Sequence, residues 1–116
     1  MMEQLNRVQL RGIIGTIRTT NISDSLCARF SVATNYAYKA KDGTAVIETT
    51  WHNVSAFSSD KSSDLSTLSK GDKVEVTGRI TNQRYAGEDG VERTCCEIRA
   101  SSVKKIETDE PLNLEM

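Results

Sequence analysis

The residues of this chain with the most chemistry to offer cluster in one short segment. Residues 48–57 hold the only Trp (Trp51), the only His (His52) and one of the two Phe (Phe57). In an extended strand, successive side chains point to opposite faces. Trp51 and Phe57 then share one face with Thr49, Asn53 and Ser55, and His52, Val54 and Ala56 share the other. The small aliphatic face reads as core. Two large aromatics set among short polar residues form a surface on which nucleic-acid bases can stack.

A binder of that kind also needs cations for phosphates and further aromatic faces. By the same alternation Arg79 and Gln83 share a face with Tyr85. Tyr36 and Tyr38 point away from Ser31, Ala33 and Asn35, and Lys39 and Lys41 follow at a turn, placed to clamp a strand. Arg84 and Arg93 flank a polar loop. Each reading has a plainer rival. Trp51 could be barrel core, although Val54 and Ala56 already take the inward parity. Tyr36 and Tyr38 share parity with Phe30 and Val32, so either could be core. Lys39, Arg79 and Arg84 carry weight only as a group, since single surface cations are commonly just solvated. The inward parity of His52 fits a buried or interface histidine, and no partner pattern supports nucleophilic or metal chemistry. Of the adjacent Cys95 and Cys96, one points outward, as an inert strand pair or a redox-sensitive thiol.

Composition narrows the classes. At 116 residues the chain makes one domain. Hydrophobic residues are only 37% of it, so the core is thin or is completed between subunits. No apolar run is long enough to span a membrane, and residues 1–7 have no apolar run of the secretory type. The expected location is cytoplasmic, with the nucleoid. The three cysteines, Cys27, Cys95 and Cys96, make a poor disulfide framework and fit a reducing compartment. One His and no paired-cysteine motif argue against zinc, and no cofactor is expected. Net charge is −1, but residues 107–116 carry four acids and no base. Residues 1–106 hold 15 basic against 12 acidic residues, a net of +3. Such mild charge leaves stacking to supply much of any affinity for nucleic acid.

The elements that must position these side chains are strands. Val8, Leu10, Gly12 and Ile14 alternate along a first strand starting near Leu5, and Gly12 and Gly15 within it mark a bulge or sharp bend. A second strand places Ala28, Phe30, Val32 and Thr34 on one face. Asp42-Gly43 is a hairpin turn into the third, residues 48–57. Residues 60–69 read as a short helix with Ser59 or Asp60 as N-cap, Leu65 and Leu68 on one face and Gly71 closing it. A fourth strand alternates Val74, Val76, Gly78 and Ile80; a loop with Asp89-Gly90 leads to a fifth over 91–106. The fold class is all-β. Five strands with a helix between the third and fourth follow the order of the OB-fold, a small Greek-key barrel. Residues 1–106 form the domain, and 107–116 a short acidic tail too polar to pack.

Four stretches in order also resemble a family, the bacterial single-stranded DNA-binding proteins. They are Asn6-x-Val8-x-Leu10-x-Gly12-x-x-Gly15, Phe30-Ser31-Val32-Ala33-Thr34, Thr50-Trp51-His52-x-Val54-x-x-Phe57 and Leu68-x-Lys70-Gly71-x-x-Val74-x-Val76-x-Gly78. Tyr85 lies where that family has an aromatic. The resemblance covers about residues 5–106. It implies an OB-fold that assembles as a homotetramer (a dimer being the smaller alternative) and wraps single-stranded DNA or RNA without reading sequence, in replication, recombination or repair. It implies stacking by Trp51, Phe57, Tyr85 and Tyr38, and places Asn6 and His52 near subunit contacts. The family recruits replication and repair proteins through a long Gly/Pro/Gln-rich extension with an acidic tip and terminal Phe. Residues 107–116 are acidic and carry Leu112 and Leu114, without that linker or Phe, and residues 18–25 lack the family's Asp-Pro turn. The rival class is an OB-fold protein-interaction module that ignores DNA; an enzyme has no support in the residues.

Overall fold

The computed structural model describes residues 2–22, 25–58 and 65–107. Five strands run in order: β1 Val8–Ile22, β2 Ser25–Lys39, β3 Ala45–Phe57, β4 Lys73–Ala86 and β5 Glu92–Lys105. They close into a barrel ordered β1-β2-β3-β5-β4, which is the OB-fold. All neighbours are antiparallel except β3 and β5, which meet in parallel with Val54 beside Ile98 and Ser55 beside Arg99.

Alternation builds the core as the sequence requires. Ala28, Phe30 and Val32 from β2, Val54 and Ala56 from β3, Val74 and Val76 from β4, Ile98 and Val103 from β5 and Ile14 from β1 are all buried together. Side chains this small fill a narrow barrel without leaving room for a buried Trp.

β1 serves two neighbours. Its first half pairs with β4 (Val8 opposite Gly78 to Ile13 opposite Lys73) and its second half with β2 (Ile13 opposite Ala33 onward). The handover includes a register shift between Ile14 and Ile17, so the bend expected near Gly15 is present. β1 begins at Val8, later than Leu5: its ladder with β4 starts at Val8 opposite Gly78, while β4 itself runs on to Ala86. Asn6 bridges the gap by its side chain: Nδ2 donates to the Ile80 carbonyl at 2.8 Å and the Ile80 amide donates to Oδ1 at 2.9 Å.

The expected helix over 60–69 is replaced, within the described residues, by one 3-10 turn, Leu65–Thr67. Residues 59–64, including the proposed caps Ser59 and Asp60, lie outside the described residues. The reason is economical. Only Leu65 and Leu68 plug the barrel, 2% and 6% exposed, and a three-residue turn aligns positions i and i+3. Gly71 is not a helix cap. It takes φ +93 in a tight turn closed by the Asp72 amide on the Ser69 carbonyl at 3.1 Å, and its own amide donates to the Ile14 carbonyl at 2.8 Å.

Two hairpins project beyond the barrel wall. Residues 34–39 of β2 pair only with 45–50 of β3, and residues 82–86 of β4 only with 92–96 of β5. Asp42 caps the first tip, accepting from the Thr44 amide at 3.0 Å and hydroxyl at 2.7 Å. Those bonds, the hydroxyl's foremost, hold its carboxyl below the ordinary value. Asp89 caps the second, accepting from the Val91 amide and from Arg93. Of the acidic tail expected over 107–116, residues 108–116 lie outside the described residues.

Candidate nucleic-acid interface

Trp51 stands on the outer face of β3, directly across from Ala33 on β2, and is 59% exposed. Its ring lies over Gly15 of β1; a Cβ on that glycine would occupy the space of Cζ3. The glycine therefore leaves room for a large ring against β1 while that ring stays well exposed. With Gly15, Thr16, Ser31 and Lys70, Trp51 lines a shallow, mostly apolar concavity.

Six residues on, Phe57 is 48% exposed on the same parity, across from buried Cys27. It lines a second concavity with Asn6, Ser55, Arg79 and Arg99. Strand rise puts Trp51 and Phe57 roughly 20 Å apart along β3. Between them a third hollow is lined by Thr16, Arg18, Arg29, Ser31, Asn53 and Glu97 among others. Thr16 and Ser31 line both this hollow and the Trp51 concavity, so the two are continuous. Polar contacts stiffen the floor. The Thr16 amide donates to Ser31 Oγ at 3.0 Å, Ser55 Oγ donates to Glu97 Oε1 at 2.7 Å and Asn53 Nδ2 donates to Cys95 Sγ at 3.6 Å. Ser55 has outward parity yet is 5% exposed, beside Arg99 of β5 and with its hydroxyl bonded to Glu97.

The remaining expected residues lie on the arms. Tyr38, across from Val46, and Tyr36 have ring centroids 6.1 Å apart. They carry the parity of Phe30 and Val32, but beyond the barrel rim that face meets no core, and both are over 40% exposed. Tyr38 thus projects from the ribbon face opposite Trp51. Lys39 ends β2 at the arm's tip, opposite Ala45. Tyr85, half exposed on β4, sits across from Arg93. Arg84 reaches Glu92 of its own hairpin at 3.6 Å in an exposed ion pair. The structure brings together Phe57 and Arg79; it sets Trp51 nearby on the same face and leaves Tyr38, Lys39, Tyr85 and Arg84 apart on the two arms.

His52 is half-buried, and its Nε2 lies 2.8 Å from Thr34 Oγ1. Burial pushes its pKa below the ordinary 6.5, so the ring is neutral at pH 7. Cys27 is buried, Cys95 half-buried and Cys96 exposed, all as free thiols. Among the described residues no three His, Cys, Asp or Glu side chains gather as a metal site would need, and no helix is long and apolar enough to cross a membrane. Sequence reasoning missed Arg18, Arg29, Arg99 and Lys70. Outward parity was readable for Arg29, but its company depends on strand pairing, which no single strand reveals.

Against known proteins, the profile of the single-strand binding protein family matches residues 5–106. The single-stranded DNA-binding protein of Neisseria meningitidis serogroup A is 34% identical over 105 residues, covering 88% of this chain and 60% of its own length. That of Xanthomonas axonopodis pv. citri is 32% identical over 108 residues, covering 91% and 60%. The chain thus spans about three-fifths of the length of these relatives. Among solved structures, the Plasmodium falciparum SSB complex with ssDNA superposes with TM-score 0.73 at 21% identity, covering 92% of this chain and 99% of that one. The small single-stranded DNA-binding protein of Streptomyces coelicolor gives 0.64 at 21% identity, covering 91% and 97%. At those identities the superpositions speak to the fold alone.

Proposed function

Since the chain belongs to the single-strand binding protein family, we propose that it binds single-stranded DNA without reading sequence, protecting it in replication, recombination or repair. The observation that carries this reading is the placement of Trp51: a large ring held open on the outer face by Gly15 while small aliphatics fill the barrel. An exposed apolar concavity with polar residues around it marks an interaction surface, and Trp51 lines one with Gly15, Thr16, Ser31 and Lys70. Trp51 and Phe57 are the central stacking platforms, Tyr85 extends the path along the β4–β5 arm, and Tyr38 stacks a base where the strand wraps round to the other face of the β2–β3 arm. Arg79, Arg84 and Lys39 meet phosphates. The role is binding, not catalysis, carried by residues 1–106 in the cytoplasm. RNA is the alternative strand.

Asn6 and His52 are assigned to the neighbourhood of subunit contacts in a homotetramer. Support comes from the thin core and from the exposed apolar side chains of Leu5, Ile13 and Ile80.

The test is a competition. Labelled oligo-dT is titrated with the protein at low salt, and unlabelled oligo-dT and duplex of equal length compete. Preferential release by the single strand is expected. Equal competition by duplex, or no complex at micromolar protein, contradicts the reading.

A further inference from the structure

Strand pairing assembles a feature that no stretch of sequence displays. Arg18 on β1 lies directly opposite Arg29 on β2, Arg29 opposite Ser55 on β3, Ser55 beside Arg99 on β5, and Arg99 opposite Arg79 on β4. Directly paired residues project from the same face of a sheet. One transverse row therefore crosses all five strands, four arginines with a serine at its centre. Neighbouring strands lie about 4.8 Å apart, so the row runs for roughly 19 Å around the barrel wall.

All four arginines are exposed, and none has a carboxylate at ion-pair distance among the described residues. The nearest candidate in the hollow, Glu97, accepts from the Ser55 hydroxyl instead. Three of the other four arginines do have such a carboxylate: Arg11 with Glu75, Arg84 with Glu92 and Arg93 with Asp89. Like charges directly opposite on paired strands repel, and this row contains two such pairs, Arg18–Arg29 and Arg79–Arg99. An anion laid along the row would relieve both.

We propose that this row is the phosphate track of the bound strand, which crosses β1-β2-β3-β5-β4 transversely between Trp51 and Phe57. The proposal rests on the single-strand binding reading above and adds the path and the cations. Ser55 at the crossing point lies four residues from Trp51 and two from Phe57 along β3, so bases can turn to a ring on either side of the backbone. Arginine suits the task, since its planar fork grips two phosphate oxygens at once. The chain's net charge is beside the point: each arginine of the row that neutralises a phosphate adds its own share to the counterions released from the strand.

The experiment measures the salt dependence of binding to labelled oligo-dT by anisotropy. Four proteins are compared: the natural chain, Arg29→Gln/Arg99→Gln, Arg29→Lys/Arg99→Lys, and Arg11→Gln/Lys104→Gln, an equal loss of charge beside Glu75 away from the row. With about 0.7 counterion released per single-strand phosphate, the first double variant should flatten the log–log slope by about 1.4. The lysine pair should hold the slope, and the remote pair should change it little. A slope equal to that of the natural chain in folded Arg29→Gln/Arg99→Gln overturns the track. So does a flattening shared by the lysine pair or matched by the remote pair. Should the glutamine pair fail to fold, Arg18→Gln and Arg79→Gln at the row's ends, expected to lose about 0.7 each, decide it by the same criterion. A natural chain that leaves oligo-dT free at low salt removes the underlying reading instead, a result distinct from an unchanged slope.

Discussion

Gly15 and Trp51 act as one device. The ring needs the glycine's empty side to pack against β1, since a Cβ there would meet Cζ3 and Cη2. Gly15→Ala is expected to lift the ring from β1, shift its emission toward that of a more solvated indole, and weaken binding of oligo-dT; unchanged emission and affinity would contradict the pairing. Trp51→Ala removes one stack of about 1–3 kcal/mol, the general range for single-strand binders of this class, which is roughly a 5- to 150-fold loss of affinity. It should exceed the effect of Lys39→Ala, measured by the same titration. His52 belongs to a different ledger. Its pKa is lowered by burial, so the unfolded chain takes up a proton at a pH where the folded chain does not. Stability is complete above the unfolded value of about 6.5 and falls as pH drops through it. Urea melts at pH 7.5 and 5.5 should show that loss, and His52→Gln should reduce it.

At the scale of elements, the tightest constraint is the turn from the 3-10 segment into β4. Gly71 sits at φ +93 while donating to Ile14, so Gly71→Ala should cost on the order of 1–3 kcal/mol by thermal melting. Leu65, 2% exposed as the barrel's plug, should cost about 2–5 kcal/mol on truncation to Ala. These two residues also explain what the sequence disclosed and what it did not. Alternation identified the inward residues of β2, β3 and β4 because small aliphatics and polar residues take turns there. The Asp-Gly pairs located both hairpin tips because their side chains satisfy the turn amides locally. The helix expected over 60–69 rested on Leu65 and Leu68 three apart, a spacing that a single 3-10 turn satisfies equally. Leu5 failed as a strand start because the β1–β4 ladder begins at Val8 opposite Gly78, and beyond it the β4 backbone at Ile80 is met by the Asn6 side chain.

For the whole molecule, the largest gap between sequence and structure is register. Arg18, Arg29, Arg79 and Arg99 are scattered over residues 18–99, and parity alone makes each just another outward cation. Only closure of β3 on β5 draws them into one row. Tyr38 carried the opposite limitation: its parity was legible, yet whether that face is core depends on where the barrel wall stops. Assembly is the other property of this scale. A 12.8 kDa chain with exposed Leu5, Ile13 and Ile80 is expected to run as a homotetramer by light scattering at micromolar concentration; a monomer would contradict that. The central claim, that the outer aromatic face receives the bases of a single strand, has a direct test because the chain contains one Trp. Its emission is titrated with oligo-dT at low salt and again at high salt. Saturable quenching that weakens with salt is predicted, while emission that stays constant through micromolar strand at low salt would contradict the claim.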